Sequence, residues 1–242
     1  TDLLLLELKR QNRSRSSIIQ TSLHQEKTTG TDWEWWIGSS RVGWVRYAVQ
    51  AKRAHKYKGN YPSLNHKVKL SGEYQIDLLK DYASKTGAIP VYCFYNYPYS
   101  WVSNVHWRCC SPTFERDQLS CTIAPIKQVS WALANHGCRS FDRLHRRPWV
   151  VPWRCLAYCP KIRRAQTAAM KSDDRAAAHP LATNLARVFP ELPAKIEAAR
   201  TQAGDNSSIL LSSAKAEQGD YQPRRVLVLE TSPEDENVTD NA

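Results

Sequence analysis

The 242-residue sequence predicts an α/β protein with a mixed sheet flanked by helices. Residues 32–37 and 42–52 have the pattern of two strands joined by a short turn at Gly38, which is typical of an antiparallel hairpin. An amphipathic helix at 71–86 precedes Ile89–Tyr95, an almost wholly apolar run that indicates a strand buried on both faces. A helix between two strands of one sheet implies a parallel crossover, so the sheet should be mixed.

The remaining elements are less regular. In chain order they are a helix at Thr1–Arg10, a strand at Ser17–His24, a helix at Pro125–Ala134, an edge strand at Trp149–Tyr158 and a late strand at Arg225–Glu230. Pro152 lacks a backbone N–H, which confines the fourth of these elements to a sheet edge.

Charge divides the chain into unlike parts. Residues 1–160 hold 23 Lys and Arg against 11 Asp and Glu, whereas residues 161–242 hold 11 against 12. We therefore expect a basic α/β domain at 1–160, an Ala-rich helical extension at 161–205, and a mostly flexible tail at 206–242 that contains the late strand. The positive excess of the first part favours nucleic acid as a partner.

The sequence also predicts the surroundings of the protein. No apolar run approaches the ~20 residues that span a bilayer, so we expect no membrane partner and a cytoplasmic location. Seven cysteines at irregular spacings, without a C-x-x-C pair, indicate reduced thiols in the core. A structural zinc ion is therefore not expected.

Four polar residues stand two apart on the hairpin strands: Asp32 and Glu34 on one, Gln50 and Lys52 on the other. Residues at i and i+2 of a strand point to the same face, so all four side chains can share one face of the sheet. The intervening Trp33 and its neighbours then point to the opposite face.

Such a cluster suits the hydrolysis of a phosphodiester. Asp32 is the first candidate ligand for Mg²⁺ or Mn²⁺, joined by Glu34 or Glu26 and by the main-chain carbonyl of Ala51. Lys52 could orient the attacking water and stabilise transition-state charge. Gln50 would offer an amide oxygen where a carboxylate is commoner.

These residues and their strand order resemble the PD-(D/E)xK, restriction-endonuclease-like nucleases, and the Q-x-K form resembles their Mrr-like branch. The resemblance covers about residues 2–96 and implies an αβββαβ core, magnesium-dependent cleavage of DNA, and a role in bacterial restriction or defence. Asp32 matches the aspartate of strand two, and Gln50 and Lys52 match the motif ends. Gln75 occupies the place of a polar residue on the following helix.

Two points remain open under this resemblance. The third acid of such sites is Glu7 on the first helix, Glu26 after strand one, or Glu34. The phrases TGTDWEWW and VQAKR also resemble a group of uncharacterised bacterial proteins, to which no role is attached.

The loop between the hairpin and the helix is basic and contains no acid. Its cations are Arg53, Lys56, Lys58, Lys67 and Lys69. It would bind a phosphate backbone, or it is an ordinary solvated loop. Trp35, Trp36 or Trp44 could stack on a base.

Two alternatives to a nuclease arise from the same residues. The protein could be a catalytically inactive nuclease-like module that binds nucleic acid or protein, because an amide is a poorer metal ligand than a carboxylate. It could also be a structural protein whose Ala-rich C-terminal helices associate, for example in a homodimer.

Overall fold

A computed structural model describes residues 16–20, 29–69, 71–96, 116–135, 137–147, 149–159, 161–162, 181, 188–203 and 225–231. The strands are β1 Ser16–Gln20, β2 Trp33–Ser39, β3 Gly43–Arg53, β4 Ile89–Tyr95, β5 Cys121–Pro125, β6 Val151–Pro152, β7 Val188–Phe189 and β8 Arg225–Glu230. The helices are α1 Gln75–Thr86, α2 Ile126–Ala134, α3 Phe141–His145, α4 Cys155–Tyr158 and α5 Ala194–Ala203, with a 3-10 turn at Arg116–Leu119. The predicted first helix at Thr1–Arg10 lies outside these residues.

The strands form one mixed sheet in the order β1-β8-β2-β3-β4-β5-β6, and β7 pairs with the beginning of β3. Strands β2 and β3 are antiparallel neighbours, whereas β3 and β4 are parallel and joined through α1. The predicted α/β class, the hairpin and the parallel crossover are thus confirmed.

Alternation along β2 and β3 builds a separate core on each face of the sheet. Trp33, Trp35 and Val49 belong to the core on one face, where α4 contributes Leu156. The other face carries Ala48 and is covered by helices α1, α2 and α3. The sequence prediction that the tryptophans face away from the polar cluster is confirmed at positions 33 and 35.

Several element boundaries differ from the sequence prediction. Helix α1 begins at Gln75 rather than at Ser71, because residues 66–68 pair with residues 73–75 before the helix starts. Its predicted end is confirmed, since Gly87 adopts a left-handed conformation with φ of 68°.

The strand predicted at Trp149–Tyr158 is wrong over most of its length. Only Val151–Pro152 is extended, at the sheet edge, and the chain then turns into α4. The apolar side chains of this segment pack on the sheet from a helix, so their hydrophobicity did not distinguish the two forms.

The late strand at Arg225–Glu230 is present with its predicted bounds, and its position in the sheet is informative. It lies between β1 and β2, antiparallel to the first and parallel to the second. The tail thus contributes a strand to the sheet of the basic domain. None of the helices in the described ranges is long and apolar enough to cross a membrane.

A chain of buried hydrogen bonds ties the loop after β3 to α3. The Tyr61 hydroxyl donates to Asn96 Oδ1 (2.6 Å), and Asn96 Nδ2 donates to Thr122 Oγ1 (3.0 Å). Thr122 Oγ1 lies 2.7 Å from His145 Nε2, and His145 Nδ1 lies 2.8 Å from the Phe141 carbonyl oxygen. Since a carbonyl only accepts, Nδ1 carries the proton and Nε2 accepts from Thr122.

This arrangement requires a neutral His145. Burial lowers the pKa of His145 from 6.5 to about 3, an effect larger than the opposing influence of the Phe141 carbonyl and Asp142. Below pH 6.5 the unfolded chain binds a proton that the folded protein does not, so protonation favours unfolding.

We predict that the free energy of unfolding falls as the pH decreases from 6.5 toward 3, with His145 contributing a slope of up to about 1.4 kcal/mol per pH unit. The measurement is urea unfolding of the wild type and of His145→Gln between pH 7 and pH 4. The difference in stability between the two proteins should shrink as the pH falls. A difference that is constant with pH would contradict the assignment.

Candidate active site

The site forms where β2 begins and β3 continues beyond it. Trp33 is the first residue of β2 and pairs with Val49, while β3 runs on to Arg53 beside β4. The Asp32 N–H donates to the Val49 carbonyl at 2.9 Å, and Asp32 Oδ2 accepts from the Ala51 N–H at 2.6 Å. The carboxylate of Asp32 thus lies along the edge of β3 just beyond Val49, the last residue of β3 that pairs with β2.

The side chain of Gln50 joins this contact. Its amide nitrogen donates to Asp32 Oδ2 and, at 3.2 Å, to the carbonyl oxygen of Ala51. The amide nitrogen of Gln50 therefore contacts both a carboxylate oxygen and a main-chain oxygen. Both are oxygens of the kind that hard metal cations bind. Gln50 is 2% exposed, and within the described residues its Oε1 accepts no hydrogen bond.

Lys52 is held from α1. Its ammonium donates to Gln75 Oε1, and the two residues are 7% and 9% exposed. Gln75 is the first residue of the helix, so the crossover connection brings its side chain to the carboxyl end of β3. A buried ammonium needs such partners, because removing it from water is costly.

Gly30 brings the Asp32 segment against this helix. It has φ of 64°, a left-handed conformation that favours glycine. A Cβ at this position would overlap the carbonyl oxygen of Gln75. The TGTD phrase therefore lets the chain pass directly over the beginning of α1 and places Asp32 and Gln75 in the same region.

Glu34 has another role than the one proposed from sequence. Its Oε1 accepts from Arg46 Nε (2.7 Å), from a second Arg46 nitrogen and from the Tyr82 hydroxyl, and its Oε2 accepts from Trp36 Nε1 at 3.3 Å. Both oxygens are therefore engaged, Oε1 in an ion pair with Arg46, and Glu34 is 1% exposed. We therefore correct the assignment of Glu34 as a metal ligand: it neutralises Arg46.

The other acids proposed for the site, Glu7 and Glu26, lie outside the described residues. Over the ranges that the structure describes, no group of three or more His, Cys, Asp or Glu side chains is arranged to hold a metal ion. The candidate site at Gln50 differs from such a group, because its oxygens come from one carboxylate, one main-chain carbonyl and one side-chain amide.

The basic loop joins the end of β3, where Lys52 lies, to the beginning of α1, where Gln75 lies. All five of its predicted phosphate ligands are exposed: Arg53, Lys56, Lys58, Lys67 and Lys69. Lys67 pairs with Tyr74, the residue before Gln75, and its ammonium lies 4.7 Å from the centre of the Tyr74 ring. Cations thus follow Lys52 along the chain and also adjoin the beginning of α1.

Among the described residues, the most exposed large aromatic side chain is not one of the three tryptophans expected to stack on a base. Trp35, Trp36 and Trp44 are at most 2% exposed and belong to the core. Tyr57 is 80% exposed, and the Lys56 ammonium lies 5.5 Å from the centre of its ring. The sequence feature that could have indicated Tyr57 is the segment HKYKG, in which a tyrosine stands between two lysines in a loop.

Comparison with known proteins gives one match. Residues 1–235 match a family described as "Family of unknown function (DUF6615)". The chain belongs to this family. No curated protein and no solved structure matches it. The DUF6615 match spans the described strands and the proposed site, so the site belongs to the matched region.

The correction for Glu34 can be tested through stability. We predict that Glu34→Ala lowers the free energy of unfolding by about 3–5 kcal/mol, because it leaves the largely buried Arg46 charge without its carboxylate. Chemical denaturation measures this change. Glu73→Ala, at an exposed acid before α1, is the control and should shift stability by less than about 0.5 kcal/mol. Equal effects of the two substitutions would contradict the structural role of Glu34.

Proposed function

We propose that this DUF6615 protein is a metal-dependent nuclease that hydrolyses phosphodiester bonds, with DNA as its substrate. The observation that carries the proposal is the contact of Asp32 Oδ2 and the Ala51 carbonyl with one atom of Gln50, beside a lysine held by Gln75. The same residues carry the resemblance to the PD-(D/E)xK nucleases.

The donor set fits a hard divalent cation. Asp32 Oδ2 and the Ala51 carbonyl face the same point, at which the Gln50 N–H groups now donate. A cation bound by these two oxygens would replace the donated protons, and the Gln50 oxygen would be the third ligand. Mg²⁺ or Mn²⁺ would supply charge neutralisation at the phosphate and favour ionisation of water.

Lys52 would act on the attacking water and on the phosphate, in addition to the metal ion. Hydrolysis adds one water across one ester P–O bond and gives a phosphate monoester and a hydroxyl group. Gln75 Oε1 holds the Lys52 ammonium at the end of β3, close to Gln50 in sequence. From this position Lys52 can orient the attacking water and stabilise the negative charge that develops on the phosphate.

The basic loop supplies the affinity for the polyanion. Exposed lysines beside the site would contact phosphates on either side of the cleaved bond, without regard to sequence. Tyr57 projects into solvent between Lys56 and Lys58 and can stack on a base. A structural zinc ion has no part in this proposal.

A second candidate function is a nuclease-like module that binds nucleic acid without cleaving it. The engagement of Glu34 by Arg46 favours it, because Asp32 is then the only proposed acid that meets Gln50 in the described part of the chain. In that case Asp32 would serve to bind the Ala51 N–H, and the protein would show salt-sensitive DNA binding without cleavage.

The nuclease proposal predicts Mg²⁺- or Mn²⁺-dependent cleavage of plasmid, linear or single-stranded DNA. Asp32→Ala should abolish it by removing the metal carboxylate, and Lys52→Ala should reduce the rate at least about 100-fold by removing transition-state stabilisation. Gel assays with purified protein, with and without EDTA, measure this. Lys80→Ala, at an exposed lysine of α1, is the matched control and should retain activity.

Cleavage that persists in both Asp32→Ala and Lys52→Ala would show that the site is assigned to the wrong residues. DNA binding by the wild type with no cleavage under either metal would favour the inactive module.

Binding through the basic loop predicts a specific salt dependence. Replacing Lys56, Lys58 and Lys67 together by alanine should reduce the slope of log K against log salt concentration by about 2 to 3, because each lost contact to duplex DNA removes about 0.9. Fluorescence anisotropy in EDTA measures the slope. Replacing Lys80 and Lys85, which are paired with Asp77 and Asp81, is the control. An unchanged slope in the triple variant would place the DNA on another surface.

A further inference from the structure

Two tyrosines of the segment between β3 and α1 are exposed to solvent. Tyr57 is 80% exposed and Tyr74 is 37% exposed, and no other large hydrophobic side chain is exposed in the part of the chain that the structure describes. Single exposed hydrophobic residues are common on protein surfaces. These two, however, both lie in the segment that leads from Lys52 to Gln75, which contact each other in the proposed site.

Tyr74 lies directly beside the site. It is the residue before Gln75, whose Oε1 accepts from the Lys52 ammonium, so the α-carbons of Tyr74 and Gln75 are about 3.8 Å apart. Its backbone pairs with that of Lys67, and the next N–H, that of Gln75, donates to the His66 carbonyl at 3.0 Å. The backbone that carries the Tyr74 ring is thus held at the beginning of α1.

Tyr57 is carried by a tight turn that follows β3. The Gly59 N–H donates to the His55 carbonyl at 2.9 Å, which closes the turn. The turn is tied to α3, because the Phe141 N–H donates to the Gly59 carbonyl at 2.7 Å. Tyr57 stands five residues after Lys52, so their α-carbons are at most about 18 Å apart.

Each tyrosine has a lysine ammonium next to its ring. The Lys56 ammonium lies 5.5 Å from the centre of the Tyr57 ring, and the Lys67 ammonium lies 4.7 Å from the centre of the Tyr74 ring. All four residues are exposed. An aromatic surface and a positive charge therefore occur together at two places, one after the end of β3 and one before α1. Proteins bind single-stranded nucleic acid with this combination, since bases stack on the rings and phosphates contact the cations.

The rings distinguish a single strand from a duplex. In a duplex both faces of a base are covered by its neighbours, so a protein ring can reach a base only after the costly step of unstacking it. A single strand exposes the faces of its bases, and stacking on them tolerates any sequence. The lysines alone would suit either form of DNA, because they contact phosphates.

We propose that the substrate of the site is single-stranded DNA, with one base stacked on Tyr74 and another on Tyr57. This inference rests on the proposed function and specifies its substrate. Because Tyr74 adjoins Gln75, the base stacked on it belongs to a nucleotide close to the cleaved bond, and the base on Tyr57 belongs to one farther along the strand. Both tyrosines are positioning residues, which hold the strand so that a phosphate meets Lys52.

The test is fluorescence anisotropy of the full chain in EDTA, with a labelled single strand and with the duplex of the same sequence. Tyr57→Ala and Tyr74→Ala should each weaken binding to the single strand at least about fivefold, the loss expected when one stacked base is released. Binding to the duplex should change less than about twofold, because its bases do not reach the rings.

Conservative variants at the same positions are the matched controls. Tyr57→Phe and Tyr74→Phe keep the ring and should retain the affinity for the single strand. Tyr57→Leu and Tyr74→Leu keep an apolar side chain without a ring and should lose affinity as the alanine variants do.

An abasic strand of the same length separates stacking from charge. It keeps every phosphate but has no base to stack, so the wild type should bind it as weakly as the variant with both alanine substitutions binds the normal strand. The alanine substitutions should not weaken binding to the abasic strand further.

Three results would overturn the inference. They are equal losses on single strand and duplex, no loss on either, and the same loss in the phenylalanine variants as in the alanine variants. The last result would show that the hydroxyl groups, and not the rings, contact the DNA.

The binding assay contains no metal ion, so its outcome is separate from that of the proposed function. A wild type that cleaves duplex DNA but neither binds nor cleaves the single strand would overturn this inference and leave the nuclease proposal standing. Binding of the single strand that depends on both tyrosines, without cleavage under Mn²⁺, would confirm the stacking contacts and overturn the proposed function.

Discussion

The site depends on the unequal lengths of the two pairings made by β3. Its pairing with β2 ends at Val49, whereas its pairing with β4 continues to Arg53. The Ala51 N–H and carbonyl are therefore directed to an edge at which no described residue forms a strand, and buried backbone groups need partners. Asp32 provides one by accepting from that N–H, and the same geometry brings Gln50 to Asp32 and places Lys52 beyond them.

The helix of the crossover, α1, holds the Lys52 side chain of the site. A parallel connection from β3 to β4 returns α1 across the sheet, so its first residue, Gln75, meets Lys52 near the end of β3. Gly30 allows the segment before β2 to contact that same turn of helix. A carboxylate, an amide and an ammonium are thus held by strand ends and a helix, whereas the lysines of the loop between β3 and α1 are exposed.

Sequence alone could predict the features that depend on local periodicity and on the hairpin. Alternation placed Asp32, Gln50 and Lys52 on one face and Trp33 on the other, and the apolar run of β4 indicated the crossover. It could not predict that Glu34 would lie in a buried cluster with Arg46 and Trp36, because that depends on strand register and on Tyr82 of α1. It also could not place β8 between β1 and β2, since the partners are far apart in sequence and no local pattern records the pairing.

The central claim is that Asp32, Gln50 and Ala51 together bind a divalent cation. A crystal structure of the protein grown with Mn²⁺, with anomalous diffraction, tests it most directly. We predict an anomalous peak within bonding distance of Asp32 Oδ2 and the Ala51 carbonyl, with the oxygen of Gln50 turned toward it. Well-ordered density with no peak there, and with the Gln50 nitrogen still donating to Asp32, would contradict it.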